Sequence, residues 1–199
     1  MFVSEKIRPR PLIHMPEQKV FYQRLLPHWH PANTHLFVTF SLFGSLPRMK
    51  RPTESPGKAF LEADRHLDSA NTGPSWLKDP QVAAEVVQII HRAESEHNLC
   101  KIQAYVVMSN HVHILLKPIS RSPQIMKWIK GASARRANEI LARPGNPFWQ
   151  HESYDRWVRN STERTRIIQY IEWNPVKAGL VRSPDLWPWS SANPLWNKL

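Results

Sequence analysis

Ile102-Gln103-Ala104-Tyr105-Val106-Val107-Met108, then Ser109-Asn110, then His111-Val112-His113-Ile114-Leu115-Leu116-Lys117 decides the fold of this chain. Both flanking runs are strand-like, rich in aliphatic and β-branched side chains. A connection as short as Ser109-Asn110 can join only antiparallel neighbours, so the two runs form a hairpin. Side chains alternate along a strand. His111 and His113 therefore project from one face, and Val112, Ile114 and Leu116 from the other, where they can pack a core. Two imidazoles on one strand face can seat a divalent cation. The spacing alone fits two half-exposed strand histidines that hold nothing better than it fits a metal seat, since such pairs arise by chance in a chain with 10 histidines.

Around the hairpin the pattern alternates between strand and helix. His35 to Phe43 is an aromatic and β-branched run bounded by Gly44 and Pro47, which reads as a buried strand. Residues 50–78 read as irregular, with a short helix around Ala59–His66. Asp79-Pro80 opens a helix, with Asp79 at the N-cap and Val82, Val86, Ile89 and Ile90 as its apolar stripe. Ser122-Pro123 opens another, running to about Ala142 and stopped by Pro144-Gly145. Its Ile125, Trp128, Ile129 and Ile140 pack, leaving Lys127, Lys130, Arg135 and Arg136 to face outward. A third helix spans about Ser161 to Asn174, with Asn160 and Glu163 as a capping-box-like pair and Pro175 marking its end. This order implies an α+β domain on an antiparallel sheet. Residues 1–34 form a basic, proline-rich arm, 35–181 the domain, and 182–199 a tryptophan-rich tail.

The chain has 199 residues and a formal charge of +11, from 27 basic against 16 acidic side chains. Such an excess attracts polyanions, nucleic acid above all, because each cation near a phosphate releases condensed counterions. A single cysteine, Cys100, excludes an intramolecular disulfide and a multi-cysteine zinc cluster. No signal-peptide core and no membrane-length apolar run is present, so a cytoplasmic protein without a membrane partner is expected. The 9 tryptophans offer stacking surfaces for unpaired bases as well as packing.

Tyr170-Ile171-Glu172-Trp173-Asn174-Pro175 holds the second feature. Tyr170 and Asn174 are four apart and share one helical face. Tyr170 lies about 100° from the centre of the Ile167–Ile168–Ile171 stripe, on the flank of the packed side. There its phenol can reach both sheet and solvent. A tyrosine packing its ring at a helix edge, hydroxyl in water, fits the same pattern.

The string from Tyr105 to Pro118 resembles the hairpin of the IS200-like transposases, which is marked by His-hydrophobic-His after Met-Pro-Asn. Ser109 stands here in place of that proline. The string from Tyr170 to Val181 is similar to the second signature of the tyrosine transposases associated with repetitive extragenic palindromes (REP). Segments 148–159 and 185–191 also look like their counterparts, so the resemblance spans about His35 to Ser191. It implies a ferredoxin-like antiparallel sheet with packed helices, of the HUH-nuclease type. It further implies that His111 and His113 are the metal pair and Tyr170 the nucleophile. Asn174 stands where relatives place a polar amide, often glutamine, that completes the metal site. Tyr154 is a rival nucleophile without a helical partner four residues on, and Arg156 occupies a position where many relatives carry histidine.

The activity implied is a metal-dependent single-stranded DNA endonuclease and strand transferase, forming a 5′-phosphotyrosyl intermediate at hairpins or palindromic repeats. Two imidazoles and an amide suit Mg²⁺ or Mn²⁺, whereas zinc lacks a third strong ligand. The helix 122–142 and the Arg-rich region 156–166, with Lys127, Lys130, Arg135, Arg136 and Arg159, offer phosphate contacts to single-stranded or hairpin DNA. Some relatives exchange tyrosine helices in a homodimer, which the sequence leaves undecided. The competing readings are an inactive, sequence-specific DNA-binding protein of the same fold, an unrelated metal hydrolase and an RNA-binding module.

Overall fold

A computed structural model describes residues 20–23, 27–30, 34–45, 56–69 and 73–196. Its elements, in chain order, are β1 (Val20–Gln23), β2 (Pro27–His30), β3 (Leu36–Ser41), α1 (Pro56–Ser69), α2 (Pro80–Ser95), β4 (Cys100–Val107), β5 (His111–Pro118), α3 (Ser122–Ile140), β6 (Tyr154–Trp157) and α4 (Ser161–Lys177). The main sheet has the order β4-β5-β3-β6, with every neighbouring pair antiparallel. Thus β3-α2-β4 straddles β5, and β5-α3-β6 straddles β3. These interleaved split β-α-β units make the sheet ferredoxin-like.

The sheet is buried on both faces, but the faces differ in kind. Leu36, Val38 and Phe40 of β3, Tyr105 and Val107 of β4, and Val112, Ile114 and Leu116 of β5 point to one side. There α2 closes the larger core with Val82, Val86 and Ile90, and α3 with Ile125, Ile129 and Ala137. The other side carries a smaller cluster in which Phe37, Ala104, Val106 and Leu115 meet Ile167 and Ile171 of α4. His111 and His113 share this second side, in register with Ser41 and Thr39.

Local chemistry explains most boundaries. The Asp79 carboxylate accepts the Gln81 N–H at 2.8 Å ahead of Pro80, which caps α2 as its sequence requires. Asn160 Oδ1 accepts the Glu163 N–H at 2.8 Å, and the Glu163 carboxylate accepts the Arg159 N–H at 2.8 Å. The hairpin turn at Ser109-Asn110 forms as read, with β5 starting at His111.

Four expectations change. The helix α4 does not stop at Asn174 but carries Pro175 internally and ends at Lys177, before Gly179 at φ +71°. Proline removes only its own N–H, and in the last turn that loss is small. Second, α3 ends at Ile140, where Ala142 turns left-handed at φ +51°. Third, the short helix in 50–78 is the longer α1, whose residues 56–69 include Asp64 and Asp68. Fourth, the arm contains a ribbon, β1 pairing β2 with Val20 opposite His30, despite its prolines. The rest of that arm, 1–19, 24–26 and 31–33, lies outside the described residues.

The tryptophan-rich tail docks on the domain. It runs along edge strand β4, with Val107 N–H to Trp189 O at 2.8 Å, Ser191 N–H to Tyr105 O at 2.9 Å and Trp187 Nε1 to Val107 O at 3.0 Å. An otherwise open strand edge is covered this way. Cys100 is buried in the larger core, and burial pushes its thiol up to about 12, consistent with packing only. Among the described residues no helix is long and apolar enough to cross a membrane.

Candidate metal and nucleophile centre

Both histidines are fully buried, 0% exposed, which rules out the half-exposed alternative. Their Nε2 atoms lie 3.1 Å apart. Each ring is held from behind: His111 Nδ1 by Asn110 Oδ1 at 2.7 Å, and His113 Nδ1 by Thr39 Oγ1 at 2.7 Å. The Asn110 amide nitrogen donates to the Leu67 carbonyl at 3.0 Å, which leaves Oδ1 to act as acceptor. His111 must then carry its proton on Nδ1, with a lone pair on Nε2. Burial, then the neighbouring His113, holds the His111 pKa well below the usual imidazole range, so it is neutral.

A third group arrives from α1. Asp64 Oδ1 lies 3.2 Å from His113 Nε2, and Asp68 Oδ1 lies 3.7 Å from His111 Nε2. One ligand atom each from Asp64, His111 and His113 falls within 4.8 Å of the others. This set fits a divalent cation on three observations. The Nε2 pair is separated by about the 3 Å that adjacent ligands at ~2.1 Å from one ion would show. The Oδ1 atoms of Asp64, Asp68 and Asn174 are buried without a hydrogen-bond partner. The donors, two imidazoles and carboxylate oxygen, are those that first-row and hard divalent ions take. Asp64 offers the third strong donor whose lack was the argument against zinc.

Tyr170 is brought to the same place. Its hydroxyl donates to Asp64 Oδ2, so a single carboxylate faces the histidines with one oxygen and the phenol with the other. The Tyr170 ring packs edgewise on His113, centroids 5.5 Å apart, and on Phe37 at 6.0 Å. Lys177 Nζ sits 4.6 Å over its face. Burial, then the charge of Asp64, pushes the phenol above its ordinary pKa. Burial alone would raise the Asp64 pKa, but the His113 contact, the Tyr170 hydroxyl and His111 outweigh it and leave the pKa lowered. Burial, then Asp64, raises Asp68 to about 6. Asn174 is also here, fully buried, with Nδ2 3.4 Å from His113 Nε2.

The other candidates disperse. Tyr154 lies on edge strand β6 opposite Thr39, half-buried, with its pKa raised by burial. Arg156 pairs with Glu163 at 3.1 Å. The basic residues of α3 belong to the helix on the opposite side of the sheet from the histidines. Lys130 does not face outward free, because Nζ donates to the carbonyls of Gln150 at 2.7 Å and His151 at 3.0 Å. Arg136 pairs with Glu139 at 2.5 Å and Glu85 at 3.4 Å, and Arg159 with Glu163 at 3.2 Å. Lys127 and Arg135 are exposed.

Sequence reasoning missed Asp64 and Asp68. Their spacing of four on a helical segment was the available signal, but nothing local tied that segment to a strand about 45 positions later. Asn110 stood in the hairpin string, yet its part in fixing the tautomer is legible only in three dimensions.

Residues 74–174 match the family model described as IS200-like transposase. Among solved structures, a REP-associated tyrosine transposase bound to a REP hairpin is similar over 85% of this chain and 81% of that one, at 19% identity and TM-score 0.54. A second, from Deinococcus radiodurans R1 and itself only provisionally assigned as a transposase, covers 70% and 89% at 20% identity and TM-score 0.36. No curated protein matches significantly in sequence. The first likeness carries the same fold.

Proposed function

Since the chain belongs to the IS200-like transposase family, we propose that it cuts and rejoins single-stranded DNA through a phosphotyrosine on Tyr170, at hairpins or palindromic repeats. One observation carries this reading: the Tyr170 hydroxyl and the Nε2 side of His113 meet at opposite oxygens of Asp64. A phenol and a candidate divalent-ion site share one carboxylate, which puts a nucleophile, a proton acceptor and a Lewis-acid position side by side.

A divalent cation such as Mg²⁺ or Mn²⁺, held by His111, His113 and Asp64 with Asn174 alongside, supplies Lewis-acid neutralisation of charge on the phosphodiester. The chain's own residues do the rest. With its pKa raised, Tyr170 stays protonated at neutral pH and needs a proton acceptor as it attacks. Asp64, with its pKa lowered, is ionised and already accepts that proton in a hydrogen bond. The Tyr170 oxygen–phosphorus bond forms, the phosphorus–O3′ bond breaks, the phenolic proton passes to Asp64, and the 3′-oxygen takes a proton from solvent. The phosphotyrosine retains the energy of the original ester, so a 3′-hydroxyl can reverse the step and join strands without ATP. Asn110 holds His111 in the tautomer this needs, and Thr39 orients the His113 ring.

The phenol meets the histidines of its own chain, which supports action without exchange of α4 between subunits. Support for a hairpin target comes from the similar transposase bound to a REP hairpin. Lys127 and Arg135 stay on the proposal as contacts to a stem reaching round the domain.

The test incubates wild type and Tyr170→Phe with internally labelled hairpin DNA and Mn²⁺, followed by a denaturing protein gel. A labelled adduct only in wild type and only with metal is expected. Absence of adduct and cleavage across a hairpin library, with Mn²⁺ binding confirmed by calorimetry, would leave a DNA-binding protein without this chemistry.

A further inference from the structure

We infer that the outward stripe of α4 is a binding site for the unpaired nucleotides flanking the cleaved phosphate. Trp173 is the stacking surface for a base, and Arg166 and Lys177 are the phosphate contacts. The inference rests on the nuclease reading for its location, while its evidence is separate. Arg166, Gln169, Tyr170, Trp173 and Lys177 line one open groove of about 500 Å³. They fall at i, i+3, i+4, i+7 and i+11, a single stripe about 16 Å long on the helix.

The groove has the chemistry of a single-strand site. Trp173 is 49% exposed. The other tryptophans whose side chains are described are buried or half-buried, several packed on the larger core. An indole left open beside cations is the arrangement that holds unpaired bases without reading sequence. Its cations are available: Arg166 and Lys177 make no ion pair among the described residues, whereas Arg92, Lys101, Arg136, Arg156 and Arg159 each have a carboxylate partner. Gln169 adds an amide that can meet a base edge.

Continuity with the reacting centre fixes the occupant. Tyr170 lines the groove and its hydroxyl turns inward to Asp64. A strand laid along the stripe therefore crosses the nucleophile. The basic residues of α3, on the far side of the sheet, cannot serve this position.

The experiment measures binding of the full chain in EDTA, where cleavage is not needed, by fluorescence anisotropy. Two probes share one stem-loop: one carries single-stranded flanks and the other ends blunt. Trp173→Ala should weaken the flanked probe roughly ten- to a hundredfold and leave the blunt probe within twofold, with Trp173→Phe recovering most of the loss. Arg166→Ala and Lys177→Ala should each lower the salt slope for the flanked probe by about one. Equal binding of both probes by wild type and Trp173→Ala overturns the proposal. So does a Trp173→Ala chain that changes oligomeric state on gel filtration at unchanged DNA affinity, which would make the stripe a contact between copies. Flank-dependent binding lost in Trp173→Ala, together with no adduct in wild type, would keep the site and discard the nuclease reading. Adduct formation with no Trp173 effect would do the reverse.

Discussion

Replacing Asn110 by alanine tests how the tautomer of His111 is set, and with it the proposed metal site. Asn110 is 1% exposed and makes two buried hydrogen bonds, Oδ1 to His111 Nδ1 at 2.7 Å and Nδ2 to the Leu67 carbonyl at 3.0 Å. Truncation leaves a buried ring N–H and a buried carbonyl without partners, at about 1–3 kcal/mol each. The expected loss is about 2–6 kcal/mol, a large part of the ~5–15 kcal/mol typical of a domain. It should appear as a lower urea midpoint in EDTA. With its Nδ1 partner gone, His111 can also shift its proton to Nε2 and turn, so Mn²⁺ affinity should fall roughly 10- to 100-fold. Ser133→Ala is the control. It removes a buried hydroxyl bonded to the Ile129 carbonyl at 2.6 Å and to Trp149 Nε1 at 2.9 Å, on the other side of the sheet. It should destabilise comparably and spare Mn²⁺ binding. A folded Asn110→Ala chain that binds Mn²⁺ within twofold of wild type, by calorimetry, would refute the tautomer argument.

Asp68 is raised from 3.8 to about 6, so its ionisation opposes the fold by about 3 kcal/mol. With the folded pKa above the unfolded one, the contribution of Asp68 to stability in EDTA is fully present below pH 3.8 and is lost as pH rises through about 6. Asp68→Asn should flatten that decline and be the more stable chain at pH 7; parallel denaturation profiles would contradict it. His91, packed with Tyr105 and Trp196, has its pKa lowered by burial first, with Glu94 opposing. Its contribution is present above pH 6.5 and is lost as pH falls toward the folded value, so His91→Gln should lose less stability than wild type on acidification. An equal acid slope in both would count against it. Lys130→Met should cost roughly 1.5–3 kcal/mol, because a charged hydrogen-bond donor is removed from the Gln150 and His151 carbonyls. DNA salt slopes should stay unchanged, and a slope reduced by one would restore Lys130 as a phosphate contact.

Much of the fold was legible because local chemistry and tertiary demand agree. The hairpin follows from two apolar runs and a two-residue gap, and α2 from Asp79-Pro80 and its apolar stripe. The histidine pair and Tyr170 were found as strings, and the structure joins them. What stayed hidden depends on long-range contact. Asp64 meets His113 across 49 positions and Tyr170 across 106. No period within α1 announces which way a carboxylate faces. The placement of α3 stayed hidden for a related reason. Periodicity separates its apolar stripe from its charged one, but not which side of the sheet the helix will cover, and ion pairs such as Arg136 with Glu85 are invisible in a linear count. Continuation of α4 through Pro175 shows the limit of a breaker rule near a helix end, where little hydrogen bonding is left to lose.

The charges around the buried histidines explain why the free cations stand outside the centre. His111 is neutral, Asp64 ionised, and Asp68 on the edge of ionisation near pH 6. At neutral pH Asp64 and most of Asp68 thus bring negative charge into the pocket, and among the described residues neither carboxylate is ion-paired to an arginine or lysine, an arrangement that costs stability unless compensated. A divalent ion brings such a group to about neutrality. A lysine placed inside would do so permanently and would compete for the same carboxylates. A phosphodiester then adds one further negative charge, which a neutral pocket does not attract. Attraction has to come from the approach, where Lys177 lies over the Tyr170 ring and Arg166 three turns along the same stripe. Separating the charge that balances the ion from the charge that draws the strand lets each bind without cancelling the other. On the proposed reading, an ion-free centre would repel a phosphate drawn to the α4 stripe, so the ion would have to bind first.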